Sequence, residues 1–278
     1  MDQDSRALFR KIRITTRRKL DSLFIGEYRS AFRGYGLLFN SVREYQYGDD
    51  VRHIDWNVSA RTRNLYVKEY IEERELSVML MVDCSASVSF GSVRSKRDLV
   101  LETAMLLLYL ARMNNDRLSV MLFTDKVEKY IAPRKGGRFT YAVFDELRGH
   151  RPRSRGTDIA KAVDFAGRVL KKRSIIFVIS DFLDGDFESG LRRLSKRHDV
   201  IPVVVADPME RTIGFSGLVE FFDMETGRSF LSDTLPRERR LPAFRGLDAI
   251  YLRTDEPVET PMLRFFERRS RAYRARAR

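Results

Sequence analysis

Five residues combine side-chain types and spacing that can do chemistry together. Asp83-Cys84-Ser85-Ala86-Ser87 sets two hydroxyls at alternate positions behind a carboxylate. Thr157 follows Gly156 much further along, and Asp181 closes an apolar run that begins at Ile175. Two carboxylates and three hydroxyls form an all-oxygen donor set, which suits a small hard cation. Mg²⁺ takes oxygen ligands in an octahedron and gives up its waters reluctantly. Neutral hydroxyls as direct ligands leave such an ion electrophilic and open to an outside carboxylate. The two aspartates then hold ligating hydroxyls and waters from behind. The expected metal set is Asp83, Ser85, Ser87, Thr157 and Asp181, with Mg²⁺, Mn²⁺ or Ca²⁺ as the ion. Each residue also has a local explanation. Ser and Asp after a strand are common turn formers and helix caps, and Thr157 can cap the helix that follows it. Asp181 is one of three acids in Asp181-Phe182-Leu183-Asp184-Gly185-Asp186.

The elements that must position these residues are legible in the apolar pattern. Val78 to Val82 is a continuous apolar run ending at Asp83, as expected of a strand covered on both faces. Ile175–Ile179 and Val200–Val205 read the same way, and Leu118–Phe123 is a further strand with Val127–Ile131 as an edge partner. Helices are expected over Asp98–Met113, Arg138–Leu147, Asp158–Leu170 and Leu191–Leu194, with a last strand at Ala249–Leu252. This βαβα succession predicts a doubly wound, mostly parallel α/β sheet. Asp83 and Asp181 then stand at C-terminal strand ends, where open α/β sheets bind ligands. A late β-hairpin is expected from Leu218–Phe222, the Thr226-Gly227 turn and Ser229–Leu231. Residues 1–75 read as an N-terminal extension. It contains a short amphipathic helical stretch (Leu8, Phe9, Ile12, then Leu20, Leu23, Phe24) and a strand at Tyr66–Ile71. The α/β domain spans residues 76–258, and residues 259–278 form a basic C-terminal helix or tail with helical pattern over Pro261–Tyr273.

Asp83-x-Ser85-x-Ser87, then Thr157, then Asp181, in that order and on those elements, resembles the metal-ion-dependent adhesion site of the von Willebrand factor A fold. The resemblance implies that serines and threonine ligate the metal, that the aspartates support it directly or through water, and that a bound partner supplies the last ligand from an acidic side chain. A second block is Arg43-Glu44-Tyr45-Gln46-Tyr47-Gly48-Asp49-Asp50-Val51-Arg52-His53-Ile54-Asp55-Trp56-Asn57, followed by Ser59-Ala60-Arg61. It resembles the signature of the domain of unknown function 58 family, whose members carry a von Willebrand A-like domain downstream. Gly91-Ser92 fits as well, and the resemblance runs from about Leu8 to Leu183. Leu38 departs from it, standing where many members have an acid. The resemblance implies a non-enzymatic adaptor that acts with a MoxR-type AAA+ ATPase in assembly or maturation of other proteins. Physically, the Arg43–Arg61 block reads as a small packed subdomain whose charges pair internally and whose core anchor is Trp56. The competing reading makes it a second docking surface beside the metal.

Charge and composition narrow the alternatives. The net charge is +13, but residues 1–20 hold seven Lys/Arg against two Asp, and residues 264–278 hold seven Arg against one Glu. The body between them is close to neutral, whereas a groove-reading nucleic-acid domain carries its basicity on the folded body. The basic ends read as solvated charge blocks that can touch an acidic partner or anionic lipid. His53, His150 and His198 are scattered, Cys84 has no partner for a Cys–His pair, and no Gly-rich phosphate loop occurs. The enzyme alternative is an Mg-dependent phosphatase with Asp83 as nucleophile, yet Ser85 stands where that chemistry wants a second acid. No apolar stretch is long enough to span a bilayer, the first residues lack a signal-peptide core, and one cysteine fits a reducing compartment. A cytoplasmic location is expected.

Overall fold

The computed structural model describes residues 21–32, 37–62, 64–72, 75–183, 185, 187–211, 217–222, 229–234 and 241–276. The expected helical residues up to Leu20, the Thr226-Gly227 turn, Asp184 and Asp186 lie outside the described residues.

In chain order, α1 is Asp21–Ala31, β1 is Leu37–Glu44, α2 is Trp56–Thr62 and β2 is Tyr66–Glu72. Then come β3 (Ser77–Asp83), α3 (Lys96–Met113), β4 (Arg117–Phe123), β5 (Val127–Arg134), α4 (Gly137–Gly149) and α5 (Ile159–Val169). They are followed by β6 (Ile175–Ser180), α6 (Glu188–Ser195), β7 (Asp199–Ala206) and the single turn α7 (Pro208–Arg211). The chain continues through β8 (Gly217–Phe222), β9 (Ser229–Thr234), β10 (Ile250–Arg253) and α8 (Glu259–Arg276).

Six strands form one sheet in the order β10-β7-β6-β3-β4-β5. All neighbours pair in parallel except β5, which runs antiparallel to β4 at the edge. This is the doubly wound, mostly parallel α/β architecture that the apolar pattern predicts. Alternation along each strand sorts its side chains into two cores. Val78, Leu80 and Val82 of β3 join Phe177 of β6 and the apolar faces of α1, α3, α4 and α8. Met79 and Met81 turn the other way, toward α5 and α6. Both faces of β3 and β6 are therefore dry, which is why those strands read as unbroken apolar runs. The late hairpin forms as expected, with β8 antiparallel to β9.

Two helices from opposite ends of the sequence pack side by side on the first face. Phe24, Tyr28 and Phe32 of α1 and its C-terminal end are buried, and each sets its ring edge-on to Phe266 of α8, with centroids 6.2, 5.4 and 5.9 Å away. Ser30 and Ser270 join hydroxyls at 2.8 Å. Arg269 lies over the Phe32 ring and bonds Asp199 at 2.7 Å, so one arginine of the basic C-terminal block is built into the packing. The Tyr28 hydroxyl donates to Asp116 Oδ2, tying α1 to the loop before β4.

The Arg43–Arg61 block forms a small unit on the antiparallel pair β1–β2. Its charges pair internally, as expected: Arg43 makes two 2.7 Å bonds to Asp49, Arg52 bonds Asp50, and Lys68 stands 3.6 Å from Asp55. Asp55 also accepts from the N–H groups of Asn57 and Val58, capping α2. Trp56 differs from expectation. It is 66% exposed, and the buried positions of the block are Ile54 and Ser59, with Val67 of β2 beneath them. At the first position of α2 the indole projects away from the hairpin, whereas Ile54 is drawn in by its bridge to Val67.

Candidate functional site

The order of strands reverses direction between β3 and β6: β4 and β5 lie on one side, β7 and β10 on the other. A crevice opens outside the C-terminal ends at such a switch point. β3 ends in Asp83 and β6 ends in Ser180, with Asp181 next, so both carboxylates reach this edge.

Asp83 is 1% exposed and both of its oxygens are engaged. Ser180 donates its hydroxyl to Oδ2 at 2.6 Å, and the Ser85 N–H donates to Oδ1 at 2.8 Å. The second bond closes an Asx turn, which folds the chain back over the strand end. Burial, and after it the negative charge of Asp181, push the Asp83 carboxyl up to about 6, against the bonds from Ser180 and Ser85. A buried carboxylate in that condition favours a nearby cation. Ser85 and Ser87 follow on the turn, their hydroxyl oxygens 3.0 Å apart. Ser85 opens the short 3-10 turn Ala86–Ser89 without donating or accepting a side-chain cap bond, so capping does not account for its hydroxyl.

Thr157 is brought to the same edge by the backbone. Ala86 donates to the Arg155 carbonyl at 2.9 Å, and Asp158 donates to the Thr124 carbonyl at 3.1 Å. Thr157 sits between these two anchors. The cap of α5 is Asp158, whose carboxylate accepts from the Lys161 N–H at 2.8 Å, so Thr157 does not serve as that cap.

Asp181 carries a partner that the sequence reading missed. Lys96 Nζ lies 2.7 Å from Asp181 Oδ2 and 2.6 Å from Glu210 Oε1, and its side chain is fully buried. Burial opposes the ammonium charge, but the carboxylates of Asp181 and Glu210 outweigh it and hold Lys96 above its ordinary value. Lys96 is the first residue of α3, where the helix dipole disfavours a cation, so the two carboxylates are what hold the charge there. Phe182, directly after Asp181, has φ of 52°, a strained setting for an aromatic residue. Its ring is locked edge-on between Phe187 and Phe244, and its N–H donates to Ser180 Oγ. The packing thus holds the backbone that aims Asp181.

A second fixed point lies beside the site. Asp207, after β7, accepts from the N–H and hydroxyl of Ser92, the hydroxyl of Thr254 and the N–H of Met209. Gly91 makes this clamp possible. A Cβ there would fall 1.9 Å from the Arg94 carbonyl oxygen, so only glycine lets the loop close.

Among the described residues no group of three or more His, Cys, Asp or Glu side chains could hold a metal ion. Ser85 and Ser87 bring two hydroxyls together beside Asp83, and hydroxyl oxygens as a class suit hard cations rather than zinc-like chemistry. Burial and the neighbouring Asp83 push the Cys84 thiol up to about 12, so it stays protonated. No helix among the described residues is long and apolar enough to cross a membrane.

The family model described as "Protein of unknown function DUF58" matches residues 41–245, and so reaches beyond Leu183 through the late hairpin. The uncharacterized proteins Rv1480 of Mycobacterium tuberculosis (strain ATCC 25618 / H37Rv) and Mb1516 of Mycobacterium bovis are each 31% identical over 284 residues, covering 95% of this chain and 90% of the relative. In fold the chain is similar to the conserved hypothetical protein BatB from Bacteroides thetaiotaomicron (16% identity, TM-score 0.49, 70% of this chain and 99% of that one). It is also similar to the SpRpn10 VWA domain (9% identity, TM-score 0.42, 68% and 94%). Because the family model covers well over half of the sequence and the mycobacterial relatives align along nearly all of it, the chain belongs to the DUF58 family.

Proposed function

We propose that this chain is a non-enzymatic, metal-dependent protein-binding adaptor, whose candidate site holds one Mg²⁺-class ion and offers it to a carboxylate on a partner. The observation that carries the reading is the 3.0 Å separation of the Ser85 and Ser87 hydroxyls. Adjacent oxygen ligands of an octahedral ion with bonds of about 2.0–2.1 Å lie about 2.9 Å apart. The pair therefore has the spacing of two neighbouring ligands.

Ser85, Ser87 and Thr157 would hold the ion, and Asp83 and Asp181 support it with charge. Asp83 fixes the turn by accepting from the Ser85 N–H while Ser180 fixes Asp83 in turn. Asp181 is fixed by Lys96. A divalent cation bound there supplies a Lewis-acidic position for an outside carboxylate oxygen. Such a contact is charge-assisted and gains strength in a partly desolvated crevice. The resemblance to the family supports a MoxR-type AAA+ ATPase, or its client, as the protein that brings the carboxylate, and the single cysteine fits the cytoplasm as the meeting place. A phosphatase reading has less support, since Ser85, where a general acid is needed, bonds Ser87 instead.

The test is capture of a MoxR-type ATPase from the same genome by this chain in Mg²⁺, in EDTA, and with Thr157→Ala or Ser85→Ala/Ser87→Ala. Capture should fall in EDTA and in both variants while circular dichroism stays native. Equal capture in all four conditions would move the interface away from the strand ends.

A further inference from the structure

We infer that Lys96 is a resident counter-charge that loosens the hold of the strand-end site on a divalent cation and so leaves the ion's charge available to an outside carboxylate. The inference rests on the metal reading above.

Stability does not explain a lysine at this position. The ammonium is taken fully out of water and placed at the first residue of α3, against the helix dipole. A buried ion pair can often be replaced by packed apolar residues without loss of stability, so the charge itself asks for a role. Its position is tightly specified. Nζ reaches Asp181 on one side and Glu210 on the other. The second oxygen of Glu210 accepts from the Asp207 N–H, and Asp207 is anchored by Ser92 and Thr254. The ammonium is thus gripped from a clamp that contains none of the expected metal residues.

Asp83 feels the negative charge of Asp181, and Lys96 is the cation bonded to Asp181 and to Glu210. The ammonium offsets part of the negative charge at this corner. Without it that charge would grip the ion harder and repel an incoming carboxylate. Lys96 is therefore a positioning and charge-setting residue that acts through Asp181.

The experiment is calorimetric titration of the full chain with Mn²⁺ alone, comparing wild type with Lys96→Gln, Lys96→Arg, Glu210→Gln and the double variant Lys96→Gln/Glu210→Gln. Lys96→Gln should bind at least about tenfold tighter and Glu210→Gln weaker, the signs that like and unlike charges impose in a low-dielectric crevice. Lys96→Arg, which keeps the charge, and the double variant, which restores the balance, should return toward wild type. A merely structural role would weaken binding in both single variants. Equal or weaker binding by a natively folded Lys96→Gln chain overturns the inference. If that variant does not fold, unchanged or tighter binding by Glu210→Gln overturns it instead. A wild-type chain that takes up no Mn²⁺ overturns the metal reading, and this inference with it.

Discussion

The Asp83 carboxylate and the Ser180 hydroxyl, 97 residues apart in sequence, meet at 2.6 Å where β3 and β6 end side by side. That bond ties the two halves of the doubly wound sheet at the point where the winding reverses. It also satisfies an oxygen of a carboxylate that is almost wholly buried.

Ser180→Ala removes this donor and leaves Asp83 Oδ2 short of a partner. A buried acceptor so exposed costs about 1–3 kcal/mol. Urea unfolding in EDTA should report a loss of that size with an unchanged m-value. Mn²⁺ binding should weaken as well, since the carboxylate that orients the Ser85 turn is released on one side. Wild-type stability in the variant would contradict the placement of the two strand ends.

Stability should depend on pH through Asp116. Burial pushes its carboxyl from 3.8 up to about 7, against bonds from the Leu76 N–H and the Tyr28 hydroxyl. The folded chain keeps a proton that the unfolded chain has released. The contribution is therefore full below pH 4 and is lost as pH rises toward about 7, on the order of a few kcal/mol in all. Asp83 shifts in the same direction, so Asp116→Asn should flatten only part of the slope. The amide can still accept from Leu76 and donate to the Tyr28 oxygen. Chemical denaturation across pH 4–8 in chelator, wild type against variant, checks the sign. A wild-type stability that rises through this window would refute it.

Phe266→Ala should be among the most damaging single changes, because Phe24, Tyr28 and Phe32 all lean on that ring. Burial at 0% exposure places the expected loss at about 3–5 kcal/mol. For the same reason a chain ending before residue 264 should aggregate rather than lose an idle tail. Size-exclusion chromatography of the truncated chain and thermal melting of the point variant are direct measurements. A soluble, cooperatively melting truncation would show that α8 is dispensable.

Trp56 is the single tryptophan of the chain and stands 66% exposed. Its emission should be red-shifted in the native state and open to acrylamide quenching, with little further shift on unfolding. Blue-shifted, protected emission would mean that a partner surface or a second copy covers it.

The central sheet was legible because its strands are covered on both faces and so read as apolar runs broken by polar residues at their ends. Asp83 and Asp181 mark two of those ends. The start of α3 was placed late, at Asp98. Ser95 is the cap, exchanging bonds with Asp98, and Lys96 opens the helix. β1 was missed because Asn40, Ser41 and Arg43 interrupt its apolar residues, and only pairing with β2 makes it a strand. Trp56 was misread because aromatic residues usually supply cores, while its neighbour Ile54 took that place. The Lys96 network was beyond local pattern altogether. Its partners lie 85 and 114 positions away, and nothing near residue 96 announces them.

The pairing of α1 with α8 sets an order on synthesis. Ser30 and Ser270 touch across 240 positions, so the first described helix leaves the ribosome long before its packing partner exists. At roughly 5–20 residues per second, that interval lasts roughly 10–50 s. Throughout it, Phe24, Tyr28 and Phe32 lack the ring of Phe266, although Phe32 can already meet Phe177 and Tyr28 can meet Asp116. The core on this face of the sheet is therefore completed only after α8 has been made.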